Sequence, residues 1–88
     1  MSYFVYLIAT YKKNKLITYV GYTNDLKKRL SLHNTGKGAK FTKGSIWKVI
    51  YKKRYKTKQI AMSEEYKLKK NYKLRNEIKF KLNKKRII

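Results

Sequence analysis

Cysteine and proline are absent from this 88-residue chain, glycine occurs four times, and only four residues are acidic. Without cysteine there can be no disulfide and no thiolate-based structural zinc site. A single histidine excludes a multi-histidine metal centre. Any metal would therefore be a hard cation held largely by carboxylate and water, as magnesium commonly is. The longest apolar run, Phe4 to Ala9, falls far short of the roughly 20 residues that span a bilayer. Met1-Ser2-Tyr3 enters that run with neither a basic region nor a cleavage site, so no secretory signal is expected and cytoplasmic placement is the default. With no internal repeat and no linker, residues 1–88 read as one domain ending in a lysine-rich helix over about 72–86.

What is abundant is positive charge and aromatic surface. Twenty-five lysines and arginines give a formal net charge of +21, so the free chain repels itself and calls for a polyanionic partner. Nucleic acid fits better than an anionic membrane, because the basic residues are spread through the chain rather than along one amphipathic helix. Hydrophobic residues at 42%, nine tyrosines among them, supply enough apolar surface for a folded core.

Tyr3 to Ala9 is aromatic, aliphatic and β-branched, the composition of a strand buried on both faces. After a polar connector over 10–15, Leu16 to Tyr22 reads as its hairpin partner. Pairing Tyr6 with Tyr19 would close the hairpin at residues 9 and 16. It would also set Gly21 opposite Phe4, leaving room for a phosphate or a second backbone. Thr23 or Asn24 can cap a helix with Asp25 in its first turn, and Leu26, Arg29, Leu30 and His33 follow at core-facing spacing. A glycine-rich loop carries Lys37, Lys40 and Lys43. Ile46 to Tyr51 is a third strand, with Trp47, Val49 and Tyr51 on one face, and residues 52–56 either extend it or leave it. Thr57 can cap a helix over about 58–71 whose stripe is Ala61, Leu68 and Tyr72, and a last helix carries Leu74, Ile78 and Leu82. The fold class is α/β, with a small, largely antiparallel sheet.

Chemistry concentrates between Tyr19 and Lys43. Arg29 and His33 lie one helical turn apart on the inner stripe, where an unpaired guanidinium is costly to bury. An anion held between them would resolve this, and a phosphate suits the guanidinium fork. The plainer alternatives are a half-buried histidine at a helix C-terminus and an arginine whose stem covers Leu26. Of the acids, Asp25 is explained by the helix start and Glu77 by a pair with Lys81. Glu64 and Glu65 each lie roughly 50° from the centre of their helix's stripe, on opposite sides, so periodicity leaves both open as cation ligands or as solvated surface. Tyr6 and Tyr19 can be ordinary strand tyrosines. Lys37, Lys40 and Lys43 read as phosphate contacts or as solvated surface.

Phe4-Val5-Tyr6 and Tyr19-Val20-Gly21 together resemble the paired strand motifs of the GIY-YIG endonuclease superfamily. Tyr22-Thr23, Asp25-Leu26, Arg29, His33-Asn34 and the run Gly36 to Thr42 extend the resemblance, especially to its small standalone members, as do Trp47 to Tyr51, Ala61, Glu65, Leu68 and Lys69. Phe4 stands where the superfamily name has glycine, Val5 and Val20 replace isoleucines, and a proline usual near Ser45-Ile46 is missing. The resemblance implies a three-stranded antiparallel sheet flanked by helices and metal-dependent hydrolysis of a nucleic-acid phosphodiester. By position, Glu65 would hold a magnesium or manganese ion. Arg29 would stabilise phosphoryl charge, Tyr6 would activate water, and Tyr19 and His33 would complete the proton and phosphate contacts. Gly21, Lys37, Lys40 and Lys43 would meet the nucleic acid. The expected activity is a structure-selective or weakly sequence-specific DNA endonuclease of repair or recombination, with RNA as an alternative substrate. The rival expectation is a non-catalytic basic protein, a repair accessory or a ribosome-associated RNA binder.

Overall fold

A two-residue turn sets the register of the first two strands. The computed structural model describes residues 2–87, with side chains as far as Leu82. Strand β1 (Tyr3–Lys12) and strand β2 (Lys15–Thr23) are joined by Lys13 and Asn14, both in the left-handed region at φ 50° and 67°. That is the backbone of the tight hairpin turn whose twist matches its strands, and Asn14 is suited to it. The hairpin therefore closes at Lys12 and Lys15 rather than at residues 9 and 16. Tyr6 pairs with Gly21, Ile8 with Tyr19, and Phe4 with Thr23. Relative to the expected pairing each partner moves by two residues, which exchanges neighbours and keeps every side chain on its face.

Strand β3 (Lys48–Tyr55) adds to the other edge of β1, giving the antiparallel order β2-β1-β3. It starts beyond Trp47 and runs on through the basic residues. Leu7 pairs with Tyr51 while the adjacent Ile8 pairs with Val49, so Ile50 is an extra residue in a β-bulge. The bulge breaks the expected alternation. Val49 stays with Trp47 beside Tyr6 and Ile8, whereas Tyr51 packs with Val5 and Leu7 on the opposite face.

The central strand is buried from Val5 to Thr10, and each face has its own core. Helix α1 (Leu26–Asn34) lays Leu26 and Leu30 against Tyr6, Ile8 and Trp47. Helix α2 (Lys58–Lys70) lays Ala61 and Leu68 against Val5, Leu7 and Val20, and Thr57 caps it by accepting the Ile60 N–H. Asn71 Oδ1 then accepts the Leu74 N–H at 3.0 Å, opening helix α3 (Tyr72–Ile87). Leu74 and Ile78 extend the α2 core. Tyr72, expected on the α2 stripe, is 67% exposed because α2 stops before it and the chain starts a new helix. The basic residues Lys84, Lys85 and Arg86 lie outside the described side chains. Among the described residues no helix is long and apolar enough to cross a membrane.

Candidate active site

Two short devices lay α1 across the sheet face that carries Tyr6 and Ile8. Thr23 still belongs to β2, so the chain uses Asn24 and Asp25 to turn. Asp25, rather than Thr23 or Asn24, becomes the cap and accepts the Lys28 N–H at 3.1 Å. Thr23 Oγ1 in turn accepts the Asp25 N–H at 3.1 Å. At the other end of α1, Asn34 clamps the returning loop: its Oδ1 accepts the Trp47 N–H at 2.6 Å and its Nδ2 donates to the Trp47 carbonyl at 3.2 Å. Trp47 is 2% exposed, and its indole Nε1–H donates to the Thr42 carbonyl at 2.8 Å. A loop that composition marks as flexible is thus bolted to the core at three residues.

Along edge strand β2 lies an open cleft of about 440 Å³. Tyr6 and Tyr19 come to it from the hairpin, Arg29 from α1, and Lys58 and Glu65 from α2, with Tyr3, Gly21, Tyr22, Thr23 and Asn24 completing its walls. Four of the five residues expected to carry chemistry therefore meet around one space. A larger groove of about 550 Å³, lined by Ala9, Leu16, Ile46, Ile50 and Leu82, holds none of them. The two glutamates that periodicity left open also part company. Glu65 faces the cleft with its carboxylate 3.3 Å from Lys69 Nζ, and its side chain is 18% exposed. Glu64 lies beside Val5, Tyr51 and Tyr55 and pairs with Lys67 at 3.4 Å.

His33 stands behind the cleft instead of in it. It is fully buried, with Nε2 at 2.8 Å from the Tyr6 hydroxyl and Nδ1 at 2.8 Å from Thr42 Oγ1. Both ring nitrogens are taken, so no anion sits between Arg29 and His33; a phosphate can be reached from His33 only through Tyr6. Burial pushes the His33 pKa down, and the Arg29 charge adds to this, so the imidazole is neutral near pH 7. Burial raises the Tyr6 phenol. Arg29 works against that through a hydrogen bond and its charge, while Tyr19 and Glu65 reinforce it.

Two glycines make this packing possible. A Cβ at Gly21 would fall on the Tyr6 hydroxyl and lie 2.5 Å from Tyr6 Cζ. The space foreseen for a phosphate is thus filled by the phenol itself. A Cβ at Gly38 would lie 2.5 Å from His33 Nδ1. Thr42 and Lys58 are the site neighbours that residue-by-residue reasoning did not single out. No periodic or compositional signal separates one threonine or lysine from the others here.

Beside the cleft, Phe41 is 57% exposed and stacks on Tyr19 with ring centroids 6.0 Å apart. Lys37, Lys40 and Lys43 are exposed on the same loop. For a divalent cation, Glu65 is the one carboxylate on the cleft, and no group of three or more metal-ligating side chains exists among the described residues. That donor set suits magnesium or manganese, which keep several waters and take one or two protein carboxylates together with substrate phosphate. It does not suit zinc.

The sequence also matches known proteins. The profile described as the GIY-YIG catalytic domain matches residues 2–79. A UPF0213 protein of Oceanobacillus iheyensis is 52% identical over 52 residues, covering 58% of this chain and 60% of that protein. Another, of Bacillus velezensis, is 42% identical over 69 residues, covering 77% of this chain and 67% of the relative. The chain spans about half to three-fifths of the length of several of the curated relatives it matches. A UPF0213 protein of Bacillus halodurans, solved by solution NMR, aligns over 93% of this chain and 85% of its own at 32% identity, with a TM-score of 0.48. With the profile spanning both strand motifs, the helix of Arg29 and His33 and the helix of Glu65, the chain belongs to the GIY-YIG family, a member of the nuclease superfamily.

Proposed function

We propose that this chain is a divalent-metal-dependent endonuclease that hydrolyses DNA phosphodiester bonds, structure-selective or weakly sequence-specific, and acts in repair or recombination. The observation that carries this is the cleft where a carboxylate, a guanidinium and a phenol converge on a molecule of formal net charge +21. A surface used only to hold phosphate gains nothing from turning one of its four acids toward it.

In this reading Glu65 would hold the cation, which when bound would polarise the phosphoryl group and ease departure of the leaving oxygen. Arg29 binds the phosphoryl oxygens and stabilises their growing charge. The Tyr6 oxygen takes a proton from the attacking water, and its bond to His33 gives that proton an onward path. Tyr19 lines the approach between Tyr6 and the basic loop. Lys37, Lys40 and Lys43 contact flanking phosphates, which adds affinity with little sequence preference, and Phe41 offers a face on which an unpaired base can stack.

The test is cleavage of branched, nicked and linear labelled DNA with magnesium or manganese, comparing wild type with Glu65→Gln and Arg29→Ala. Cutting that falls at least about 100-fold while binding is retained supports the reading. Variants that cut like wild type overturn the site assignment. One observation favours the alternative of a non-catalytic nucleic-acid binder: Glu65 is already paired with Lys69 at 3.3 Å, as in a purely structural ion pair. Binding with no metal-stimulated cutting of DNA or RNA by the wild type would establish that alternative.

A further inference from the structure

We propose that Thr42 is a positioning residue of this site: its hydroxyl fixes the His33 tautomer and thereby decides which way the Tyr6 proton points. The proposal rests on the hydrolytic reading above for its effect on rate, and on hydrogen-bond chemistry alone for its effect on His33.

Three bonds share a small number of protons. Thr42 Oγ1 donates to the Ala39 carbonyl at 2.9 Å, and a carbonyl has no proton to give, so the single hydroxyl proton of Thr42 is committed there. Toward His33 Nδ1, 2.8 Å away, the Thr42 oxygen can then only accept. Nδ1 must therefore carry the imidazole proton. A neutral imidazole has one N–H, which leaves Nε2 as an acceptor. At 2.8 Å its donor is the Tyr6 O–H. No water is needed to satisfy this chain, and Tyr6, His33 and Thr42 are each at most 1% exposed.

The surroundings hold the arrangement in place. Trp47 Nε1 pins the Thr42 carbonyl at 2.8 Å, so the hydroxyl cannot drift from the ring. Gly38 lets the loop close over His33, where a Cβ would lie 3.0 Å from the His33 Cα as well as against Nδ1.

The consequence is directional. With its proton turned inward, the Tyr6 oxygen accepts from Arg29 and keeps its remaining lone pair for the attacking water. As water attacks phosphorus, the water O–H bond breaks and a Tyr6 O–H bond forms. The original Tyr6 O–H bond breaks, and an N–H bond forms at Nε2. Imidazolium results, still donating from Nδ1 to Thr42. The new P–O bond forms as the bond to the leaving oxygen breaks; that oxygen takes a proton from solvent, and the proton on His33 returns by way of Tyr6. In the opposite tautomer Nε2–H would donate to Tyr6, whose own proton would face the cleft, and no acceptor would remain behind it.

The experiment uses long-range ¹H–¹⁵N NMR on the whole, metal-free protein at pH 7.5. It reads one imidazole, because His33 is the only histidine. Wild type should show Nδ1 protonated and Nε2 bare. Thr42→Val, which removes the acceptor at nearly constant shape, should shift the population to Nε2–H and lower cleavage by at least about tenfold, a part of the roughly 10²- to 10⁴-fold that positioned proton transfer supplies in full. Thr42→Ser should restore both, with DNA affinity within about twofold of wild type throughout. An Nε2–H wild type overturns the proposal even if Thr42→Val does not fold, and so does an unchanged tautomer in Thr42→Val. A wild type that cuts nothing overturns the hydrolytic reading instead, and the tautomer result still decides the assignment of Thr42.

Discussion

Replacing Gly21 by alanine should damage this protein far more than a single methyl on a strand ordinarily does. In an unconstrained strand the change is neutral or mildly stabilising, because alanine restricts the unfolded chain. Here the added Cβ would meet the Tyr6 hydroxyl, with Cζ 2.5 Å and Cε2 3.0 Å away. The ring has no easy retreat: it is 1% exposed, packs beside Ile8 and Trp47, and is tied to His33 at 2.8 Å. Forcing it aside costs about 1–3 kcal/mol of overpacking, and losing its buried hydrogen bond adds ~1–3 kcal/mol. A total of at least ~2 kcal/mol corresponds to a Tm lower by about 8–16 °C for a domain of this size. The assay is thermal or urea unfolding of wild type, Gly21→Ala, Tyr6→Phe and the double variant. Because Tyr6→Phe has already lost the hydroxyl and its bond, the cycle should show at least ~1 kcal/mol of coupling. A Tm within 3 °C of wild type for Gly21→Ala, or zero coupling, would refute the close packing of Tyr6 on β2.

Stability should also depend on pH through one group. Buried His33 resists protonation while the unfolded chain takes up a proton near pH 6.5. The stabilisation is therefore complete above that pH and declines as pH falls below it, by at most about 1.4 kcal/mol per unit. Urea midpoints at pH 7.5 and 5.5 check this, and a His33→Gln variant should lose the slope. Neutralising Lys37, Lys40 and Lys43 together should reduce the salt dependence of duplex binding, log K against log salt, by about 2–3 if all three contact phosphate. An unchanged slope removes the loop from the interface. Phe41→Ala should weaken single-stranded DNA by about 1–3 kcal/mol per stacked base and leave blunt duplex nearly unaffected. Equal losses on both would show that the ring only supports Tyr19.

Much of the scaffold was legible in the residues. Thr57 and the Ala61–Leu68 spacing give α2, and the Leu26–Leu30–His33 spacing gives α1, close to where they lie. The third strand was less legible at its start, because Trp47 has strand composition but serves as a loop anchor to Asn34 and Thr42. Its bulge at Ile50 was invisible, since an extra residue leaves no mark in an apolar run. The hairpin register slipped because Asn14 signals a turn but not its length, and lysine at positive φ carries no compositional signal to mark Lys13 as the other turn residue.

For the site, the sequence by itself determined the residue types, their periodicity and the strong positive charge, hence a folded domain suited to a polyanion. The family motifs named Tyr6, Tyr19, Arg29, His33 and Glu65. Only the tertiary structure decided how these meet: Glu65 on the cleft and Glu64 away from it, Tyr6 over Gly21, and His33 enclosed between Tyr6 and Thr42. The reason is geometric. Periodicity specifies where a side chain points around its own helix or strand. What it meets there depends on residues brought from elsewhere, as Tyr6 is to His33 across 27 positions of chain.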